Sequence, residues 1–209
     1  MDDVQEDEGA GRWTRARRSA DRRPWLGVVL VTVVVPILIG AAVILIGGRS
    51  LGFEIIRRLT VRKFPELRWV DRAELARWRE DPGRAQPLVL DARTSPEYQV
   101  SRLRDAVWIN PLRPSLHPLA KLPKDAPIVV YSSVGYRGAR VANWLAGQGY
   151  QNVQNLEGGI FQWANEGRPV FRDDRPTVEV HRYDQRWGLL LVPRYRSDVP
   201  DVVTPFKAP

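Results

Sequence analysis

The thirteen residues from Ile128 to Arg140, IVVYSSVGYRGAR, constrain the fold of this chain more than any other segment. A β-branched run this short reads as a buried strand. The glycine-containing loop Ser132–Gly135 ends it, and helix-forming residues follow at once. A strand that passes through a tight loop directly into a helix places successive backbone N–H groups around a concavity suited to an anion. The candidate anion-binding residues are therefore Ser133, Val134, Gly135, Tyr136, Arg137 and Gly138, with Ser132 at the head of the loop. Arg137 stands where its fork of donors would close over a bound anion. The bland alternative for Arg137 is a helix-start arginine in a structural ion pair with Glu97 or Asp91, and the two roles are compatible.

Similar short runs recur along the chain. Leu67–Val70, Leu88–Leu90, Val107–Ile109 and Val153–Leu156 read as further strands. Between them, Asp71 and Glu74 have capping-box spacing ahead of a helix that stops at Asp81-Pro82-Gly83. Ser95-Pro96-Glu97 reads as an N-cap, a proline at the first helical position and a first-turn acid. Gly138–Ala146 and Gly159–Ala164 complete the helices. Apolar strands alternating with helices predict an α/β domain with a central parallel sheet flanked by helices.

The N-terminal quarter has a different character. Residues 1–24 are charged throughout and cannot bury a core, so they are expected to be disordered. Residues 25–48, WLGVVLVTVVVPILIGAAVILIGG, carry no charge and are long enough to cross the ~30 Å hydrocarbon layer as one helix at ~1.5 Å per residue. A signal peptide has a shorter apolar core, and Pro36 is tolerated in a lipid-embedded helix. Six arginines precede the run, against Arg49, Arg57, Arg58, Arg62 and Lys63 after it. By the positive-inside rule this margin of one residue leans toward a cytoplasmic N-terminus and an exported soluble domain, with the bilayer as partner. Residues 49–63 read either as a basic amphipathic helix on the membrane surface or as a continuation of the span packed on the domain. The formal net charge of +8 is explained by arginines flanking the apolar run, where anionic head groups are the simpler partner, and nucleic-acid binding is not expected.

The order of short landmarks resembles the rhodanese family of sulfurtransferases. Asp91-Ala92-Arg93, Glu97-Tyr98, Leu103-Arg104-Asp105-Ala106, Ser132–Arg137, Gly149-Tyr150 and Gly158–Trp163 are similar to the family's D-x-R, E-[YF], I-x-G-A, C-x-x-G-x-R, G-[YF] and GG-x-x-x-W. The resemblance runs over residues 64–170 and leaves 171–209 as a C-terminal extension, read as an aromatic strap over the domain edge. It implies a rhodanese-like fold, with Asp91, Arg93 and Glu97 as structural residues holding loops at the sheet edge. It also implies that the position of the nucleophilic cysteine is held here by Ser132. Gly138 stands where the family commonly has Ser or Thr, and Ser101, Arg102 and Asp105 depart from frequent Gly, His and Gly.

The chain contains no cysteine. Sulfane-sulfur transfer needs a soft, ionisable nucleophile that forms a persulfide. A serine hydroxyl is hard and stays protonated without a base, and no other thiol substitutes for it. The expected function is thus a membrane-anchored module that binds an anionic small molecule or a protein partner, without sulfur transfer. The competing reading is an enzyme related to the rhodanese and phosphatase class that uses the loop for sulfur, acyl or phosphoryl transfer. A serine esterase would need a His or Lys base near Ser132; the chain offers His117 and His181 but has no Gly-x-Ser-x-Gly elbow. With two histidines and no acidic cluster at ligand spacing, neither a metal nor a cofactor is expected.

Overall fold

The two most apolar runs, Leu88–Asp91 and Ile128–Tyr131, pair in parallel with Leu88 opposite Ile128 and Asp91 opposite Tyr131, and form the middle of the sheet. The computed structural model describes residues 35–200. The chain divides into two compact units, Met1–Ile44 and Leu45–Pro209. Of the first, only the helical stretch from Val35 is described. Residues 25–34 of the apolar run 25–48 thus lie outside what is described, as do residues 1–24 and 201–209. Among the described residues no helix is long and apolar enough to cross a membrane.

The elements follow in the order α1 (Val35–Lys63), β1 (Arg68–Val70), α2 (Arg72–Glu80), β2 (Leu88–Asp91), α3 (Ser95–Val100), β3 (Val107–Trp108), β4 (Ile128–Tyr131), α4 (Tyr136–Gly147), β5 (Val153–Leu156) and α5 (Gly159–Asn165). A small antiparallel pair, β6 (Val170–Arg172) and β7 (Arg175–Thr177), comes last, with single 3-10 turns at His117–Leu119, Trp187–Leu190 and Pro193–Tyr195. The main sheet has the order β1-β5-β4-β2-β3, all parallel. Side chains alternate between its faces with period two. Val89, Val129 and Tyr131 enter one core with Leu75, Trp78, Ile160 and Phe161. Leu90, Ile128 and Val130 enter the other with Val141, Ala142 and Leu145 of α4. Burial of both faces is why these strands are continuous apolar runs and not alternating ones.

The expected α/β architecture is therefore present, with local corrections. Helix α2 is capped by Asp71, whose carboxylate accepts from the Glu74 N–H at 2.7 Å. Helix α3 is capped by Thr94 and not by Ser95, which is the first helical residue. Glu97 then falls at the third helical position, and its carboxylate accepts from the Thr94 N–H at 2.9 Å and the Thr94 hydroxyl at 2.7 Å. The reach of Glu97 back to the helix start sets the register. Helix α4 begins two residues before the expected Gly138, because the loop turns at Gly135.

Residues 49–63 are the end of α1 and not a separate segment. Phe53 and Thr60 are buried on its inner side. Arg57 pairs with Glu157 at 3.0 Å, and the Arg49 guanidinium donates to the Leu189 carbonyl. Leu51, Ile55 and Leu59, four residues apart, remain on the outer side at 60%, 49% and 63% exposure.

Candidate active-site loop

The loop leaves the carboxyl end of a central strand, the edge at which open parallel sheets bind ligands. Gly135 caps α4 with φ 102°, a left-handed conformation that a side chain would resist. Behind the loop, the N-terminus of α5 holds two loop carbonyls: Ile160 N–H donates to Ser132 O at 2.9 Å and Phe161 N–H to Ser133 O at 3.0 Å. Gly159 (φ 56°) permits this approach, since a Cβ there would collide with Ser132 O and lie 2.8 Å from Ser133 O. The Gly158-Gly159 pair thus serves to seat the loop. From β5, the Asn155 amide donates to Gly135 O at 3.0 Å.

Ser132 is buried, and its hydroxyl oxygen accepts from the Gly135 N–H at 3.2 Å. The serine therefore supports the turn as an acceptor. Neither histidine is placed as its base. His117 is exposed on its 3-10 turn. His181 is buried, with Nδ1 accepting from the Tyr183 N–H at 2.9 Å. Its Nε2, which then carries the proton, lies 3.0 Å from the Pro200 carbonyl.

Arg137 adopts the ion-pair alternative with Glu97. Its Nη1 donates to Glu97 Oε2 at 2.8 Å and its Nη2 to Oε1 at 2.7 Å, a fork-on-carboxylate geometry. Ser133 completes the arrangement, donating its hydroxyl to Glu97 Oε1 at 2.8 Å and accepting from Arg137 Nη2 at 2.7 Å. Glu97 is fully buried. Burial alone would raise its carboxyl, but the Arg137 charge and hydrogen bonds, with help from Arg93 and Thr94, hold it down at about 2. The Tyr183 ring packs over the guanidinium, 4.8 Å from its carbon. Arg137 thus ties the loop to α3.

Asp91 and Arg93 form a second buried pair, with Arg93 Nη2 2.6 Å from Asp91 Oδ2. Tyr131 donates its hydroxyl to the same oxygen at 2.6 Å and accepts from the Leu103 N–H at 3.1 Å. Burial and the Asp91 charge push the Tyr131 phenol well above its ordinary value, so it stays a donor. This network fastens the ends of β2 and β4 beneath the loop.

Gly138 has a steric reason here. A Cβ would run into Asn155 Oδ1 and lie 3.0 Å from the Tyr131 carbonyl carbon. Asn155 thus fills the space that a side chain at 138 would need. Neither local pattern nor spacing marked Asn155, one of two adjacent polar residues in β5.

In front of the loop lies a cavity of about 360 Å³. Ile56, Leu59 and Lys63 of α1 wall one side, Val134 and Tyr136 of the loop another, and Tyr183 and Trp187 of the C-terminal extension the third. Lys63 donates to the Tyr136 hydroxyl at 2.8 Å. Sequence reasoning did not place the extension or α1 at this site, because both are brought there by tertiary packing. Among the described residues no group of His, Asp or Glu side chains is arranged as metal ligands.

Residues 71–166 match the model of a family described as the rhodanese-like domain. A sulfurtransferase from Allochromatium vinosum is 35% identical over 83 residues, covering 40% of this chain and 77% of that protein. A tRNA uridine(34) hydroxylase from Enterococcus faecalis is 29% identical over 118 residues, covering 47% of this chain and 36% of the hydroxylase. The crystal structure of a rhodanese-related protein from Thermoplasma volcanium aligns at 28% identity with a TM-score of 0.42, covering 50% of this chain and 97% of that one.

Proposed function

This chain belongs to the rhodanese-like domain family, and on that premise we propose that it is a membrane-anchored member that binds a ligand or partner at its loop and does not transfer sulfur. The observation that carries the reading is Ser132. It occupies the nucleophile position in a chain without cysteine, and its hydroxyl accepts from the Gly135 N–H. His117 is exposed on its turn and both ring nitrogens of His181 are engaged elsewhere, so neither histidine is placed to take its proton.

The architecture around the loop supports retention for binding. Three buried devices keep its shape without any chemistry: the Arg137–Glu97 fork, the α5 amides on Ser132 O and Ser133 O, and the Asn155 amide on Gly135 O. The anion cradle of residues 133–138 remains part of the proposal, with Arg137 shaping the loop and its charge matched by Glu97.

The anchor is the uncharged run Trp25–Gly48, whose second half belongs to α1. Basic residues on both sides suit anionic head groups, and the one-residue excess before the run favours an exported domain.

A thiosulfate:cyanide sulfur-transfer assay on the full chain in detergent tests the loop. Wild type and Ser132→Ala are expected to be equally silent. Wild-type turnover that Ser132→Ala abolishes would overturn the reading. Extraction of membranes with alkaline carbonate tests the anchor, and release of the chain into the soluble fraction would remove it.

A further inference from the structure

We propose that the cavity over the loop binds a single-chain anionic amphiphile, an apolar tail ending in a carboxylate or phosphate. This rests on reading the loop as a binding site and not a reactive one.

The walls argue for the tail. Ile56 and Leu59 from α1, Val134 from the loop and Trp187 from the C-terminal extension line the space with carbon. Its volume of about 360 Å³ falls at the small end of the ~300–1,000 Å³ typical of small-molecule sites. A free inorganic oxyanion has no use for such walls, and filling them with water leaves apolar surface unburied. Leu59 is 63% exposed and forms part of this wall, so a tail lying against it removes carbon surface from solvent.

The charges argue for the head group. Among the described residues, Lys63 and Arg137 line the cavity and no carboxylate does. Arg137 is neutralised from behind by Glu97. Lys63, exposed and hydrogen-bonded to the Tyr136 hydroxyl, is then the charge that meets a ligand. A cation beside an apolar chamber selects a molecule that is negative at one end and hydrocarbon at the other.

The C-terminal extension acquires a role in this arrangement. His181, through its ring contacts to the Tyr183 N–H and the Pro200 carbonyl, fixes the segment that brings Tyr183 and Trp187 over the loop.

The test uses the full chain in nanodiscs of zwitterionic phosphatidylcholine, irradiated with dodecanoate carrying a diazirine and mapped by peptide mass spectrometry. Label is expected on residues 56–63 and 183–187. Unlabelled dodecanoate should displace it, whereas neutral dodecanol should require at least roughly tenfold more, because it lacks the charge that Lys63 recognises. Displacement by dodecanoate alone identifies a fatty acid as the source chemistry, and stronger displacement by lysophosphatidate identifies a lipid phosphate. Leu59→Asp and Lys63→Met should each cut labelling roughly tenfold or more. Leu51→Asp alters an equally exposed leucine of the same helix outside the cavity lining and should leave labelling unchanged. Equal labelling of wild type and Leu59→Asp, equal displacement by dodecanol, or label confined to residues 25–48 would overturn the proposal. Sulfur transfer assayed on the same sample separates the two failures: turnover refutes the non-catalytic reading, while lost labelling without turnover refutes only the ligand.

Discussion

Replacing Glu97 with glutamine probes the interaction on which the loop's shape depends most. The Glu97 side chain is completely buried and takes donors from both Arg137 terminal nitrogens, the Ser133 hydroxyl, and the Thr94 N–H and hydroxyl. Glutamine keeps the volume but removes the negative charge and turns one acceptor into a donor facing donors. The Arg137 side chain, only 7% exposed, loses the carboxylate that faces both its terminal nitrogens. Breaking a buried pair from one side costs about 3–5 kcal/mol. For a domain of this size each kcal/mol corresponds to roughly 2–4 °C, so a fall in Tm of roughly 6–20 °C is expected. Scanning calorimetry or a dye-free fluorescence melt of the full chain in detergent reads it. The double variant Glu97→Gln, Arg137→Met should be less destabilised than the sum of the singles, because it leaves no buried charge unpaired. A Glu97→Gln melt within about 2 °C of wild type would refute the claim that this fork holds the loop.

The same pair sets an acid limit. The Glu97 carboxyl is lowered from 4.5 to about 2, so the unfolded state binds the extra proton between those values; the stabilisation is complete above about pH 4.5 and disappears as pH falls toward 2. Acid unfolding should therefore steepen in that window, and a Glu97→Gln variant should show a flatter profile there. Gly138→Ala places a Cβ against Asn155 Oδ1 and 3.0 Å from the Tyr131 carbonyl carbon, and should cost about 1–3 kcal/mol in urea unfolding, partly recovered by Asn155→Ala. Gly159→Ala meets both the loop carbonyls and a φ of 56°, and should destabilise more than Gly138→Ala; equal melts of the two would count against the seating of the loop on α5.

The sheet and the loop were legible from sequence for a simple reason. Strands buried on both faces are uniform apolar runs, and a turn fixed by Gly135 and Gly159 announces itself through glycine. The domain's family was readable too, since its landmarks are separate local signals in a set order. What sequence left open was each side chain's choice of partner. Arg137 had two compatible roles, and only the docking of α3 places Glu97 under it. The cap at Thr94 was missed by one residue because Ser95 is an equally good capping type, and the reach of Glu97 decided between them. The cavity walls from α1 and from Tyr183 and Trp187 are contacts between distant segments, which no local period encodes.

The central claim is that Ser132 leaves the loop without a sulfur acceptor, and intact-mass spectrometry of the full chain after incubation with thiosulfate tests it directly. Wild type should gain no mass, while Ser132→Cys, placing a thiol in a loop held by the same bonds, should gain one sulfur that cyanide removes. A one-sulfur adduct on the wild-type chain, lost in Ser132→Ala, would contradict the account.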